Sequence, residues 1–239
     1  MEKPMMKSQK TSISLILAVI LFVAFMQFGN NSSAMEANIK AAKAKSPWKG
    51  QIPMVENLDT NTLVGKGYAR AVFAGGCFWC MQGPFDVLEG VKMTRAGFAG
   101  GKEVNPSYED VAYGRTSHTE AVEIWFDEKL ISYDSLVEVF WQSMDPTDLK
   151  GQFADQGAHY RPVIFAMNKV QLKIAEISKA DLVKSMRFKD PIVVPIEEYT
   201  NFYPAEEYHQ FYYLKNPTHY YQYRSGSGRE GFLNRYWKK

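Results

Sequence analysis

Residues 72–84 read VFAGGCFWCMQGP, and Cys77 and Cys80 within them are the only two cysteines of the 239-residue chain. A short apolar run, 69–74, ends in Gly75-Gly76, and CFWCMQ follows without a break. That order predicts a strand, a tight turn and a helix beginning near Phe78, which Pro84 kinks or restarts because it withdraws a helical N–H. A thiol at the first turn of such a helix sits among unsatisfied backbone N–H groups, which favour the thiolate and lower the ordinary value of ~8.5. Cys77 is therefore a candidate nucleophile.

The spacing argues against a structural role. A disulfide stabilises roughly with the logarithm of the loop it closes, so two cysteines three apart staple almost nothing. Structural zinc needs four ligands, and His118, His159, His209 and His219 show no paired spacing that completes a site, so no metal is expected. A redox pair is the reading that remains. Phe78 and Trp79, held between the two thiols, are candidates for an apolar pocket beside the sulfur.

Outward from this stretch, strands are expected at 91–98, 119–126, 163–167 and 192–196, with a short helix around 107–113. Ser132 caps a helix carrying Leu136, Val139, Phe140 and Met144, and Asn168 caps one carrying Val170, Ile174 and Ile177. Pro204 opens a last helix through Tyr213. The first six main elements run strand, helix, strand, strand, helix, strand. This is the split βαβ order, and it predicts an α+β two-layer sandwich, ferredoxin-like at its core, with C-terminal additions.

The 28 basic and 26 acidic residues nearly balance, so no basic face for nucleic acid is expected. Lys3, Lys7 and Lys10 precede an apolar run from Ile13 to Phe28, and Ser32, Ser33 and Ala34 follow. Residues 1–34 thus have the layout of an export signal cut after Ala34, which makes the mature protein periplasmic or secreted. The alternative is an uncleaved membrane tether, since the run approaches the ~17-residue lower limit of a spanning helix. Residues 35–68 read as a polar linker or N-terminal arm, ahead of a domain from 69 to 239.

Period-two alternation along 119–126 puts Glu120 on one face with Val122, Ile124 and Phe126. If that face packs inward, Glu120 is a buried carboxyl whose raised pKa keeps a proton for delivery near neutral pH. If the strand end frays, Glu120 is solvated. Alternation alone leaves both readings open.

Five stretches in order, GGCFWC (75–80), NPSYEDV (105–111), SHTEAVEIWFD (117–127), DPTDLKGQFADQGAHYRPVIF (145–165) and YPAEEYHQFYYLKNP (203–217), resemble the peptide methionine sulfoxide reductase A family. The resemblance implies Cys77 as nucleophile, Phe78 and Trp79 as the methyl pocket, and Glu120 as the acid. It further implies Tyr108 and Tyr160 as donors to the sulfoxide oxygen, and Asp155 as a polar site residue. The substrate would be methionine (S)-sulfoxide, free or in oxidised proteins, the reductant a thioredoxin-like dithiol, and no cofactor is called for. Two departures stand out: Ser117 replaces the family's usual glycine, and no cysteine follows Cys80, so the common C-terminal resolving cysteines are absent. Cys80 is then the expected resolver of a Cys77 sulfenic acid.

Two other readings use the same residues. A general thiol–disulfide oxidoreductase of the cell envelope would need the cysteines but neither Glu120 nor the tyrosines. A non-enzymatic envelope binding protein would use the aromatic tail, Tyr208 to Tyr223, as its surface, whereas helix packing accounts for those rings without a partner.

Overall fold

The structure is a computed structural model, and it describes residues 60–237. The expected leader, 1–34, and residues 35–59 of the arm lie outside the described residues. The last residues of the arm form a short helix, α1 (Thr60–Gly65).

The fold is mixed α/β around one six-stranded sheet. Its strands are β1 (Ala69–Ala74), β2 (Val91–Ala99), β3 (Thr119–Phe126), β6 (Val163–Ala166), β7 (Ile196–Glu198) and β8 (Phe202–Pro204), in the order β7-β6-β1-β3-β2-β8. A separate two-residue ladder joins β4 (Gly151–Gln152) to β5 (Asp155–Gln156). β3 pairs antiparallel with both β1 and β2, β6 pairs antiparallel with β1, and only β7 runs parallel to its neighbour. All eight residues of β3 are buried, because both faces of the sheet are covered.

One face carries the main core. Helices α2 (Phe78–Asp86), α4 (Tyr133–Trp141) and α5 (Lys169–Lys184) lay Phe78, Met81, Phe85, Leu136, Phe140 and Ala175 against Phe73, Val122, Ile124 and Phe126. The Phe73 ring stacks on Phe85 and Phe140 with centroids 5.5 and 5.2 Å away, and each such buried ring contributes roughly 1.5–3 kcal/mol. On the other face Val72, Ala74, Ala99, Ala121 and Phe165 are covered by Met167, Tyr199 and Phe202. There the carboxylate of Glu123 is buried between Arg70, at 3.2 Å, and Arg95, whose Nε donates at 2.7 Å.

Ser132 and Asn168 cap α4 and α5 as expected, each accepting first-turn N–H groups. The inward face of α5 differs from expectation. Gln171, Ala175 and Leu182 are buried while Val170 and Ile177 stand in solvent, because Gln171 spans the Arg70 carbonyl and the Met167 amide and fixes the helix rotation.

Three further expectations are corrected. The strand anticipated at 192–196 is displaced to β7: the Val193 amide donates to the Pro146 carbonyl instead of to a ladder, and Pro195 has no N–H to give. The helix anticipated from Pro204 is absent, since Pro204 ends β8, which pairs with β2. Gln210 then takes over as a surrogate strand partner, accepting from the Ala96 amide at 2.9 Å and donating to the Ala96 carbonyl at 2.8 Å. Phe211 turns left-handed (φ 52°) before α6 (Tyr212–Lys215) begins. Of the kink or restart expected at Pro84, the restart is absent, since α2 runs through it. The Cys80 carbonyl that Pro84 cannot serve accepts instead from Nη1 of Arg224, at 3.3 Å, on α7 (Pro217–Gly226).

Candidate active site

Cys77 occupies the N-cap of α2, set there by Gly76 at φ 83°. Only glycine fits at that position, since a Cβ would stand 2.5 Å from the Cβ of Gln152 as well as in a left-handed conformation. Cys80 lies one turn on. Both are free thiols and hydrogen-bonded to each other, Cys77 at 5% exposure and Cys80 at 0%.

Glu120 is at the start of β3, opposite Phe98 of β2, and is buried. Its Oε2 accepts from the Phe78 amide at 2.9 Å. Burial pushes its pKa up to about 8, the Phe78 amide opposes that push, and the charge of Asp155 adds to it. The solvated reading of Glu120 is thereby set aside.

The expected lowering of the Cys77 pKa is reversed, and the geometry gives the reason. The first N–H of α2 points at the Glu120 carboxylate rather than at the sulfur. Burial, the hydrogen bond with Cys80 and the charges of Cys80, Glu120 and Asp155 all push Cys77 up. Cys80 goes the other way. The hydrogen bond with Cys77 holds it down to about 6 against the cost of burial, helped by Arg229 and Arg224.

The rings named from the sequence close around the pair. Phe78 stacks with Tyr108 (centroids 6.4 Å apart), and Trp79 lies flat on Tyr212 (3.8 Å, 7° between planes). Tyr108 opens α3 (Tyr108–Ala112) with its amide bonded to Glu206 at 2.9 Å. Burial, with the charges of Glu120 and Cys77, pushes its hydroxyl up to about 12 and Tyr160 higher still. Neither hydroxyl makes a hydrogen bond among the described residues, so both remain protonated donors with nothing to donate to. Asp155, on β5, accepts from the Tyr223 hydroxyl at 2.5 Å.

Several site residues carried no local signal in the sequence. His209 sits between Phe78 and Tyr108 (centroids 5.0 and 4.2 Å) and its Nδ1 accepts from the Trp79 indole at 3.0 Å. Burial drives its pKa down to about 4, so the ring is neutral with its proton on Nε2. Tyr212, Tyr223, Arg224 and Arg229 come from the C-terminal segment, whose Phe211, Tyr213 and Tyr220 are buried while Tyr208 stays exposed. Phe211, Tyr213 and Tyr220 close over Cys80.

Ser117, the departure at the mouth of β3, ties down the neighbouring loop. Its hydroxyl accepts from the Lys102 amide at 3.0 Å and donates to Glu103 at 2.9 Å, and its own amide donates to the same carboxylate. These bonds hold the Glu103 carboxyl down to about 2.

The chain that carries this arrangement matches known proteins. The family described as peptide methionine sulfoxide reductase matches residues 69–239. The chain belongs to that family. The peptide methionine sulfoxide reductase MsrA of Listeria welshimeri is 54% identical over 169 residues, covering 71% of this chain and 96% of the relative. That of Bacillus subtilis is 52% identical over 167 residues, covering 70% and 94%. Among solved structures, reduced Mxr1 of Saccharomyces cerevisiae superposes with a TM-score of 0.59 at 30% identity, covering 63% of this chain and 86% of that one. The methionine sulfoxide reductase A of Corynebacterium diphtheriae gives 0.54 at 32% identity, covering 63% and 76%. The chain is thus an oxidoreductase for thiol-dependent reduction of methionine sulfoxide, and a general thiol–disulfide oxidoreductase is not favoured.

Proposed function

We propose that Cys77 takes the oxygen of methionine (S)-sulfoxide, free or in proteins, with Glu120 supplying the proton and Cys80 regenerating the thiol. The observation that carries this reading is Glu120: a carboxyl with a pKa near 8 keeps its proton at neutral pH, one residue's amide away from the nucleophile. Phe78 and Trp79 receive the substrate methyl group. Tyr108 and Tyr160 donate to the sulfoxide oxygen as negative charge develops on it, and Asp155 fixes Tyr223 at the pocket wall.

A sulfoxide oxygen leaves poorly until it is protonated. Glu120 and the two hydroxyls meet that need while the Cys77 sulfur attacks the substrate sulfur. The balance is one sulfoxide reduced by two electrons to the thioether, and Cys77–SH oxidised to Cys77–SOH. Cys80 then attacks the sulfenic sulfur, an S–S bond forms and water leaves. A thioredoxin-like dithiol reduces the disulfide, itself becoming a disulfide.

For the fold, the finer description as a ferredoxin-like two-layer sandwich is part of the same reading. The order β6-β1-β3-β2, with β1 and β2 both antiparallel to β3, supports it. Export of the mature chain rests on residues 1–34 alone, and the intact mass of the native protein, expected to begin near Met35, tests it. The function is tested with the two separated sulfoxide epimers and dithiothreitol as reductant. Turnover of the (S)-epimer only is expected; equal rates on both, or none on either, overturn the reading.

A further inference from the structure

The tail that lacks a cysteine brings two arginines to Cys80. Arg229, on α8 (Arg229–Trp237), is 1% exposed and spends its guanidinium on the carbonyls of Gly75 (3.2 Å) and Ser143 (2.6 Å) and on the sulfur of Met81 (3.7 Å). Arg224 donates to the Cys80 carbonyl and to the Tyr220 hydroxyl. Among the described residues neither makes an ion pair with a carboxylate, and Glu230, whose charge reaches Arg224, stays beyond pairing distance. A buried guanidinium without an anion is costly, so buried cations are normally found with a counter-charge. The groups facing Cys80 are Cys77, Arg224, Arg229, Tyr220, Asp155 and Glu120; Arg224 touches the residue through its carbonyl, and the charges of both arginines reach its thiol.

Access differs between the two sulfurs. Cys80 is sealed under Phe211, Tyr213 and Tyr220, at 0–4% exposure, whereas Cys77 retains an opening. We propose that the reductant attacks Cys77 and that Cys80 is the leaving thiolate, with Arg224 as the positioning residue that receives its charge. The attacking thiolate forms a bond to the Cys77 sulfur, the Cys77–Cys80 bond breaks, and its electron pair goes to Cys80 beside Arg224 and Arg229. The second thiol of the dithiol then attacks the mixed disulfide and frees Cys77. A thiolate stabilised in this way leaves faster, and the unassigned charge of the tail acquires a role.

This inference rests on the proposed Cys77–Cys80 disulfide, and the experiment separates the two. The native-sequence enzyme is oxidised with one equivalent of methionine sulfoxide, and loss of two hydrogens in its mass, before any reductant is added, tests the disulfide itself. A thioredoxin variant keeping only its attacking cysteine is then added, the freed thiol is trapped with iodoacetamide, and both positions are read by fragmentation mass spectrometry. The partner is expected on Cys77 and the alkyl group on Cys80; the reverse assignment overturns the inference. In parallel, Arg224→Met should slow reduction of the preformed disulfide by dithiothreitol ~3-fold or more, with Arg224→Lys recovering most of the rate because it keeps the charge. Equal reduction rates in all three proteins would overturn the part given to Arg224.

Discussion

The amide of Phe78 donates to Glu120 at 2.9 Å, so the residue that follows the proposed nucleophile holds the proposed acid. One hydrogen bond thereby joins the start of α2 to the start of β3, although the two residues are 42 apart in sequence. The bond opposes burial without cancelling it, and the carboxyl remains neutral at physiological pH.

Glu120→Gln keeps an oxygen for the Phe78 amide and removes the proton. It should lower the rate of sulfoxide reduction by ~10²-fold or more while both thiols still titrate. Single-turnover release of methionine from an oxidised peptide measures this, and a rate near that of the parent rules out the acid role.

The same carboxyl sets a pH dependence. Its pKa is raised in the fold, so the protonated form is the one the fold favours: the stability it contributes is full below the unfolded value of ~4.3 and is lost as pH rises through about 8. The chemical step should fall over that upper range. Glu120→Gln should also be more resistant to urea than the parent at pH 9, and no more so at pH 4. Urea midpoints at the two pH values check the sign.

Cys80→Ser should release about one equivalent of methionine per enzyme without reductant, then lose turnover driven by a dithiol protein while keeping some with small thiols. Cys77→Ser should release none. Full thioredoxin-driven turnover by Cys80→Ser would make Cys80 a bystander.

Tyr108→Phe and Tyr160→Phe each delete a hydroxyl with no other partner among the described residues. Each should lower the rate of the first step by ~10-fold or more, with little change in thermal stability, because no native hydrogen bond is lost. A fall in melting temperature in place of a fall in rate would assign these hydroxyls to packing.

Glu123→Ala leaves Arg70 and Arg95 facing one another without their shared carboxylate. Breaking such a buried network should cost about 3 kcal/mol, read from denaturant unfolding. An unchanged midpoint would mean that solvent at the Arg70 side screens the pair completely.

Much of this was legible beforehand, for identifiable reasons. Strands 69–74 and 119–126 are found where the sequence placed them because Gly67 and Gly75-Gly76 bracket the first, and Ser117-His118 and Asp127 the second, around residues rich in strand-forming side chains. Glu120 was ambiguous because β3 is buried on both faces, and alternation carries no information where neither face meets water. For the same reason Glu123, on the opposite face, gave no hint of its two arginines. The C-terminal third misled because its turns are set at long range: Gln210 reaches Ala96, 114 residues away, and the Phe211 amide reaches Gln82. The Cys77 pKa differs from expectation because a helix terminus has few N–H groups, and the Glu120 carboxyl took the first of them.

The proposed acid and the proposed nucleophile also stand on ground of different stiffness. Glu120 belongs to a strand flanked by partners on both sides, whereas Cys77 and Cys80 share a single helical turn whose Cys80 carbonyl, left unserved by Pro84, is held by a side chain from the C-terminal segment. The proposed disulfide between the two sulfurs would close within that turn. On the proposed mechanism each catalytic round would begin with Glu120 already in register, much as a lathe keeps its bed fixed while the tool advances and withdraws.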